Sequence, residues 1–241
     1  MNQHQAAPHA GAATSHDRAA KDALNDQFAR AGQALANGRR VELLDLLAQG
    51  ERSVESLAWE AEIGITLASA HLQVLRRAGL VETRRAGTRI FYRLAGDDVY
   101  RLLASLREVA HRRVAETERA ARAYLGEPDA LEPLSREELL QRVGAGDVVV
   151  VDVRPAAEYA AGHIAGAISL PLDEIEARLD ELPPEREVVA YCRGPFCALG
   201  SRGIEVLRRQ GYRARRLADG FPEWRLAGLP VAGGDTGGRG A

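Results

Sequence analysis

The sequence predicts two domains: a mainly α-helical domain with a helix-turn-helix and a β-hairpin, then an α/β domain built on a parallel sheet. A length of 241 residues is enough for two cores of ordinary size. Helical periodicity dominates up to about residue 125, whereas short β-branched runs such as "VVVVDV" and "VVAYC" alternate with helical stretches after it. Between the two patterns, Gly126, Pro128 and Pro133 stop a helix.

The predicted boundaries divide the chain into five segments. They are a disordered tail (1–19), the first domain (20–125), a linker (126–134), the second domain (135–231) and a flexible tail (232–241). The start "MNQHQAAPHAGAATSHDRAA" lacks the basic-then-apolar order of a secretory signal, and no apolar run approaches the roughly 20 residues that span a bilayer. We therefore expect a cytoplasmic protein with no membrane partner. His4, His9 and His16 are too scattered along this tail to predict a metal site.

The overall net charge of −2 conceals a difference between the two halves. Residues 1–125 carry 18 Lys+Arg against 15 Asp+Glu, a net charge of +3, and residues 126–241 carry 14 against 19, a net charge of −5. Only the first half has the sign that suits a nucleic-acid partner. Because the imbalance is small, that hypothesis depends on the motifs.

The first motif is a helix-turn-helix. "RRVELLDLLAQG" predicts a helix that ends at Gly50, with an apolar face formed by Val41, Leu43, Leu44, Leu46 and Leu47. Ser53 caps a second helix, "VESLAWEAEI", and Gly64 separates it from a third, "TLASAHLQVLRRAGLV". In the third helix we expect an inward face of Leu67, Leu72, Val74 and Leu75. The outward face then contacts DNA through Thr66, Ser69, Ala70 and Gln73.

A basic β-hairpin follows at "VETRRAGTRIFYRL", with its predicted tip at Ala86–Gly87. Arg84, Arg85 and Arg89 lie near this tip, where guanidinium groups suit phosphate contact. The alternative is a solvated edge hairpin that uses charge to avoid aggregation.

The run "DDVYRLLASLREVAHRRVAETERAARAYL" has 29 residues without Gly or Pro and predicts one long helix. At about 1.5 Å per residue it extends roughly 40 Å, which is more than a domain of this size covers. Its apolar stripe consists of Val99, Leu102, Leu103, Leu106, Val109, Ala110 and Val114. We expect this stripe to bury against a second copy of the chain, and a homodimer matches a palindromic double-stranded DNA operator.

Residues 20–125 resemble the ArsR/SmtB winged-helix repressors. "SAHLQVLRRAGLV" matches the signature Ser-x-His-Leu-x-x-Leu-x-x-x-Gly-Leu-Val, and "RRAGTRIFYRL" matches the wing of that family. The resemblance implies an operator-binding homodimer. Many members bind metals through cysteines near the recognition helix, but this region has none. A second type of family site leaves a zinc-responsive repressor as an alternative, with ligands available at Asp97, Asp98, His111 and Glu118.

In the second domain, "EVVAYC" predicts a strand that delivers Cys192 to the carboxyl end of a parallel sheet, where ligands bind. Arg193, Gly194, Pro195, Phe196 and Cys197 form the loop between this strand and the predicted helix "ALGSRGIEVLRRQG". Backbone N–H groups and a helix N-terminus favour an anion in such a loop, so the sequence predicts a depressed pKa for Cys192. Upstream, "REELLQRV" and "DEIEARLDEL" predict two further helices.

Residues 132–231 resemble the rhodanese (sulfurtransferase) domain through "DVRPAAEYAAGHIAGAISLP", "YCRGPFC" and "DGFPEWRLAGLPV". The resemblance implies that Cys192 takes a sulfane sulfur from a small donor, holds it as a persulfide and passes it to a small acceptor. Packing roles around the loop fall to Asp152, Arg154, Glu158 and His163. Phosphatases of related fold need an Arg six positions after the Cys, and Ala198 stands there, which disfavours phosphoryl transfer.

Cys192 and Cys197 are the only two cysteines of the chain, too few for a zinc site, and a permanent disulfide is unusual in the cytosol. Cys197 is either a passive small residue or a thiol that attacks a persulfide on Cys192, closing a disulfide and releasing sulfide. We expect no cofactor and no bound metal. The leading hypothesis is a DNA-binding repressor that senses or transfers sulfane sulfur. The alternative from the enzyme class is an active sulfurtransferase with a regulatory DNA-binding domain.

Overall fold

The computed structural model describes residues 15–126 and 133–234. In the first domain the helices are α1 (Ser15–Leu35), α2 (Gly38–Ala48), α3 (Val54–Glu60), α4 (Ile65–Arg77), α5 (Asp97–Arg113) and α6 (Ala115–Leu125). The strands β1 (Arg52–Ser53), β2 (Val81–Ala86) and β3 (Arg89–Leu94) form an antiparallel sheet in the order β1-β3-β2. This is a helix-turn-helix followed by a β-hairpin wing, as the sequence predicts.

Local signals explain where these helices begin. The side chains of Asn37 and Ser53 each accept a hydrogen bond from a backbone N–H in the first turn of α2 and α3. Gly64 precedes α4 in extended conformation, which ends the turn between the two helices. The buried core of this domain comprises Ala34, Leu43, Leu44, Leu46, Leu47, Ala48, Leu57, Ala61, Leu72, Leu75, Leu80, Val81, Tyr92, Val99, Tyr100 and Leu103.

The first domain departs from the sequence-based expectation at three places. Helix α1 begins at Ser15, inside the range predicted as a disordered tail. The inward face of α4 is formed by Ala68, Leu72 and Leu75, whose four- and three-residue spacing leaves Leu67 48% exposed rather than packed. Ala86 pairs with Arg89, so the hairpin tip lies at residues 87–88, one position later than predicted.

The predicted 29-residue helix is interrupted at Val114, which has φ −108° and ψ 104° between α5 and α6. The apolar stripe divides accordingly. Val99 and Leu103 are buried in the core of their own domain. The exposed part of the stripe consists of Leu102, Leu106, Val109 and Val114. The prediction of one continuous helix was therefore wrong, as was the expectation that the whole stripe buries against a second copy of the chain.

The second domain is a parallel sheet covered on both faces. Its strands are β4 (Val148–Asp152), β5 (His163–Ile164), β6 (Ile168–Ser169), β7 (Glu187–Tyr191), β8 (Ala214–Arg216) and β9 (Val231–Ala232). Its helices are α7 (Arg136–Ala145), α8 (Ala156–Ala161), α9 (Ala198–Arg209) and α10 (Phe221–Leu226). Strands β6, β4, β7 and β8 lie side by side in that order, all parallel, while β5 pairs antiparallel with β9.

Two apolar clusters cover the faces of this sheet. One contains Leu134, Leu139, Val148, Val150, Ile164, Ala167, Val189, Tyr191, Leu217, Phe221 and Trp224. The other contains Val151, Val153, Leu170, Ile175, Leu182, Val188, Ala190, Cys192, Ile204, Leu207 and Ala214. The alternating strand β7 therefore supplies both cores, which places its carboxyl end between them.

The prediction of a helix at "DEIEARLDEL" was wrong, because this segment forms two short 3₁₀ turns, Ile175–Ala177 and Leu179–Glu181. Pro183 and Pro184 follow, and a residue before proline is pushed out of the helical region. In addition, Leu134 forms a parallel bridge with Leu217, so the sheet already begins inside the predicted linker.

Parts of the predicted tails and linker lie outside the described residues, including His4, His9 and Pro128. Across the described ranges, none of the helices combines the length and the apolar character that crossing a bilayer requires.

Neighbouring leucines of α7 provide a test of the second core. Leu139 is fully buried and Leu140 is 40% exposed. We expect Leu139→Ala to lower the free energy of unfolding of this domain by about 2–5 kcal/mol, because it removes buried methyl groups and leaves a cavity. The matched control Leu140→Ala is expected to change it by about 0.5 kcal/mol or less. Urea unfolding of both variants measures this difference, and equal losses would contradict the assigned burial.

Candidate active-site loop and nucleic-acid interface

Cys192 directly follows β7 and is 1% exposed. The loop of residues 193–197 then leads into α9, with Cys197 as its N-cap residue. Backbone packs closely around this loop: a Cβ at Gly200 would lie 3.1 Å from the Cys192 sulfur, and one at Gly220 would overlap the backbone of Arg193 and Gly194. Glycine at positions 200 and 220 therefore lets the loop close around the sulfur.

The two sulfurs share a hydrogen bond. The Cys192 Sγ lies 3.6 Å from the carbonyl oxygens of Gly194 and Cys197. Its thiol also hydrogen-bonds to the Cys197 sulfur, and this bond together with burial raises the pKa of Cys192 above its ordinary value. The predicted depressed pKa of Cys192 was therefore wrong, because this thiol is a buried donor.

The electrostatic features expected around Cys192 act on Cys197 instead. The hydrogen bond from Cys192 lowers the pKa of Cys197 to about 7, with further help from the backbone amides of Arg193 and Leu199 and from the Arg193 charge. These contributions outweigh the effect of burial, which acts in the opposite direction. Of the two thiols, Cys197 at the N-terminus of α9 is therefore the one that ionises at lower pH.

A buried polar network supports the carboxyl ends of β4 and β7. Arg154 is fully buried and donates to both carboxylate oxygens of Asp152 and to the Gly162 carbonyl oxygen. Asp152 Oδ2 also accepts the Tyr191 hydroxyl at 2.6 Å, next to Cys192 in the chain. His163 stacks on Tyr159 with ring centroids 3.6 Å apart. These groups hold the loop in place through packing and hydrogen bonds.

Arg193 of the loop belongs to a cluster of four charged side chains, two from each domain. Its guanidinium lies 2.5 Å from Glu158 Oε1 and 3.1 Å from Glu60 Oε2. Arg52 pairs with the same two carboxylates, at 2.7 Å from Glu158 Oε1 and directly with Glu60 Oε1. We call Arg52, Glu60, Glu158 and Arg193 the interdomain ion-pair cluster. The sequence analysis did not identify Arg52 or Glu60, because nothing near them in the chain indicates a partner about 100 residues away.

Further contacts from the first domain reach the same loop. Buried Gln49 donates to the Arg193 carbonyl oxygen at 3.3 Å and accepts from Arg154 at 3.0 Å. The Tyr100 hydroxyl donates to Glu223 Oε1 at 2.5 Å. Gly50 has φ +151°, and a Cβ there would lie 2.9 Å from the Cβ of Ala161. The two domains can approach each other this closely at Gly50 because this residue has no side chain.

His111, one of the residues available for zinc, packs edge-on against Phe196 with ring centroids 5.6 Å apart. Over residues 15–126 and 133–234, no three His, Cys, Asp or Glu side chains come together as a metal site. One chain therefore does not gather the ligands that the zinc-responsive alternative requires.

On the face of α4 that the sequence predicts to contact DNA, Thr66 and Ala70 are exposed, and Ser69 is half-buried. Gln73 is also half-buried and donates to the Tyr92 hydroxyl at 3.2 Å. The N-terminal part of α4 additionally exposes Ile65, which the sequence analysis did not single out, and Leu67, which it placed on the inward face. Their position beside Thr66 is the signal that was available.

The three wing arginines differ in their surroundings. Arg84 pairs with Glu51 and lies over the Phe91 ring at 5.0 Å. Arg85 donates to the Gly87 carbonyl oxygen at 3.1 Å, beside the hairpin tip. Arg85 and Arg89 are both exposed. The charge of Arg84 is therefore already partly compensated within the domain.

Comparisons with known proteins assign each half of the chain separately. The model of the rhodanese-like domain family matches residues 135–227, and that of the bacterial regulatory protein arsR family matches residues 37–83. The HTH-type transcriptional regulator Rv0324 of Mycobacterium tuberculosis is 52% identical over 220 residues, 91% of this chain and 96% of that protein. A sulfurtransferase of Allochromatium vinosum is 39% identical over 103 residues, 41% of this chain and 92% of that protein.

Among solved structures, the chain is similar to the homodimeric winged helix-turn-helix DNA-binding domain of a possible ArsR-family transcriptional regulator from Mycobacterium bovis. It is 52% identical in sequence and covers 45% of this chain and 95% of that chain, with a TM-score of 0.39.

The charge on Cys197 predicts how the two thiols respond to pH. Alkylation of Cys197 by iodoacetamide is expected to rise with a midpoint near pH 7, while Cys192 requires a higher pH. Cys192→Ala removes the S–H donor, so the pKa of Cys197 should rise and its alkylation rate at pH 7 should fall about tenfold. Peptide mass spectrometry measures both rates. Faster alkylation of Cys192 than of Cys197 at neutral pH would contradict this assignment.

Proposed function

We propose that this chain, which belongs to the ArsR family of winged-helix transcriptional regulators and carries a C-terminal rhodanese-like domain, regulates transcription in response to sulfane sulfur. The observation that carries this proposal is the placement of both cysteines in one strand-loop-helix, with Cys192 buried directly after β7 and Cys197 at the N-cap of α9. Such a pair takes up a sulfur atom and then releases it as sulfide, leaving two distinct states of one loop.

The proposed chemistry begins with transfer of the Cys192 proton to the Cys197 thiolate. The Cys192 thiolate then attacks the outer sulfur of a small donor such as thiosulfate, so that a new S–S bond forms and sulfite leaves with the electron pair. Cys197, now a thiol, attacks Cys192 Sγ and displaces hydrosulfide, which carries away the proton and the electron pair. The products are a Cys192–Cys197 disulfide and HS⁻, and two small thiols restore the pair by exchange.

The first domain supplies the DNA-binding part of the proposal. The exposed N-terminal part of α4 faces the major groove, where Thr66, Ser69 and Ala70 contact the DNA. Arg85 and Arg89 of the wing contact phosphates. We expect Gln73 and Arg84 to contribute less, because each already has a partner within the protein.

We further propose that the protein is a homodimer that binds a palindromic operator as a repressor in the cytoplasm. Exposed apolar side chains occur on α1, at Leu24 and Phe28, and on α5, at Leu102, Leu106 and Val109. Several large apolar side chains exposed along a helix are typical of an interface with a second copy.

A second candidate function is that of a sulfurtransferase, favoured by the strand-loop-helix around Cys192 and the likeness to the Allochromatium vinosum enzyme. In that case sulfur leaves to an acceptor thiol in every cycle, and DNA binding does not depend on the sulfur state. Steady-state turnover with thiosulfate and cyanide, measured beside DNA affinity, separates the two candidates.

The sulfur chemistry has a direct test, because trypsin cuts between Arg193 and Gly194 and places the two cysteines on separate peptides. After treatment of the full chain with thiosulfate or inorganic polysulfide, we expect the Cys197→Ser variant to gain about 32 Da, one sulfur atom, on the Cys192 peptide. The wild type should instead show the two peptides joined by a disulfide. Cys192→Ser is the control and should show neither product. A Cys197→Ser variant that takes up no sulfur on Cys192 would contradict the proposal.

The wing contacts are tested by the salt dependence of binding to mixed-sequence duplex DNA. Arg89→Ala is expected to reduce the slope of log K against log salt by about 0.9, the value for one phosphate contact. Arg84→Ala should reduce it less, because Glu51 already pairs with that charge. Arg186→Ala, an exposed arginine of the second domain, serves as the control and should leave the slope unchanged. Equal slopes for the wild type and Arg89→Ala would remove the wing from the interface.

A further inference from the structure

The surface between the two domains is centred on the loop of residues 193–197. Arg193 contacts Glu60 through its side chain and Gln49 through its carbonyl oxygen. Phe196 contacts His111 of α5. Gly194 lies beside the Tyr100 hydroxyl, which would be 3.7 Å from a Cβ atom at position 194. The winged-helix domain therefore forms one wall of the loop that holds the two sulfurs.

The interdomain ion-pair cluster is the polar centre of this wall. Glu158 is fully buried, Arg52 and Glu60 are 11% and 12% exposed, and Arg193 is 20% exposed. The two positive and two negative charges balance, and each arginine contacts both carboxylates. Removal of one member leaves an uncompensated charge in a site with little access to water, so the four side chains hold their positions together.

The members from the first domain lie at the base of both DNA-contacting elements. Glu60 is the last residue of α3, and α4 begins five residues later at Ile65. Arg52 lies in β1 and pairs with Tyr92 of β3, a strand of the wing. A displacement of the cluster therefore moves the start of α4 and the wing at the same time.

We propose that the contacts of Glu60 and Gln49 with Arg193 couple the sulfur state of the loop to DNA binding. This inference rests on the proposed function and adds the path by which it operates. Arg193 directly follows Cys192, so a covalent bond from Cys192 to Cys197 closes a ring that contains Arg193 and changes the backbone that bonds to Gln49. The reorganised Arg193 no longer holds Glu60 at the end of α3.

Thermodynamic linkage gives this coupling a reciprocal form. If disulfide formation changes DNA affinity by a given factor, bound DNA changes the thiol–disulfide equilibrium of the pair by the same factor. Couplings between sites in proteins commonly amount to about 5- to 150-fold.

The test uses the full-length chain and a duplex selected from a random-sequence pool on the reduced wild-type protein. The dissociation constant for this duplex is measured for the reduced protein and for the polysulfide-treated protein. The affinity ratio, defined as the larger of these two constants divided by the smaller, is then compared between variants. We expect a ratio of about fivefold or more for the wild type and a ratio near one for Glu60→Gln, which still loads sulfur on Cys192. Glu42→Gln removes an exposed ion pair with Arg39 in the same domain and should keep the wild-type ratio.

The outcomes separate the inference from the proposed function. A Glu60→Gln variant that keeps the wild-type ratio overturns the inference and leaves the proposed function standing. A purely structural role of Glu60 would weaken both affinities equally, leave the ratio unchanged and overturn the inference in the same way. A wild type that loads no sulfur, or whose ratio is one, overturns the proposed function and the inference with it.

A second variant covers the case in which Glu60→Gln does not fold. Arg52→Lys keeps the charge but removes the fork that contacts Glu60 and Glu158 together. It is expected to lower the ratio. The thiol–disulfide equilibrium of the variant is also measured in a dithiothreitol buffer, with and without the duplex. The factor by which the duplex shifts this equilibrium should fall as much as the affinity ratio does. Wild-type values in both measurements would overturn the inference.

Discussion

The buried guanidinium of Arg154 is the interaction on which the remainder of the structure depends. A charge with no exposure to water is tolerated only when its donors are satisfied, and here Asp152, Gly162 and Gln49 accept its hydrogen bonds. Asp152 lies at the end of β4 and also accepts the hydroxyl of Tyr191, the residue before Cys192. Arg154 therefore orders both strand ends through Asp152. Through Gln49 it binds the winged-helix domain. The same side chain therefore supports both the strand end that carries Cys192 and the contact between the domains.

The two cysteines divide tasks that a single residue usually performs. Cys192 occupies the end of the strand and is buried as a hydrogen-bond donor, while Cys197 occupies the N-cap of α9, where amides and Arg193 stabilise a negative charge. The anion site and the protected thiol are thus different sulfurs of one loop. Arg193 directly follows Cys192 and its charge lowers the pKa of Cys197, so both sulfurs lie next to the interdomain ion-pair cluster.

The fold and the position of the loop were predictable because their signals are local. A capping serine before α3, Gly64 before α4 and a strand that ends directly before Cys192 each act on a few neighbouring residues. The break at Val114 carries no such signal, since valine is compatible with a helix. The pKa order of the two thiols and the pairing of Glu60 with Arg193 depend on atoms brought together from distant parts of the chain. Such contacts become visible only in three dimensions.

The close approach of Gly50 to Ala161 limits how far these two domains behave as exchangeable modules. A methyl group at position 50 would collide with Ala161 across the junction. A chimaera that joins this winged helix to another rhodanese-like domain must preserve small residues on both sides, or the two bodies will separate. The shape of one surface is thereby matched to the other at this point.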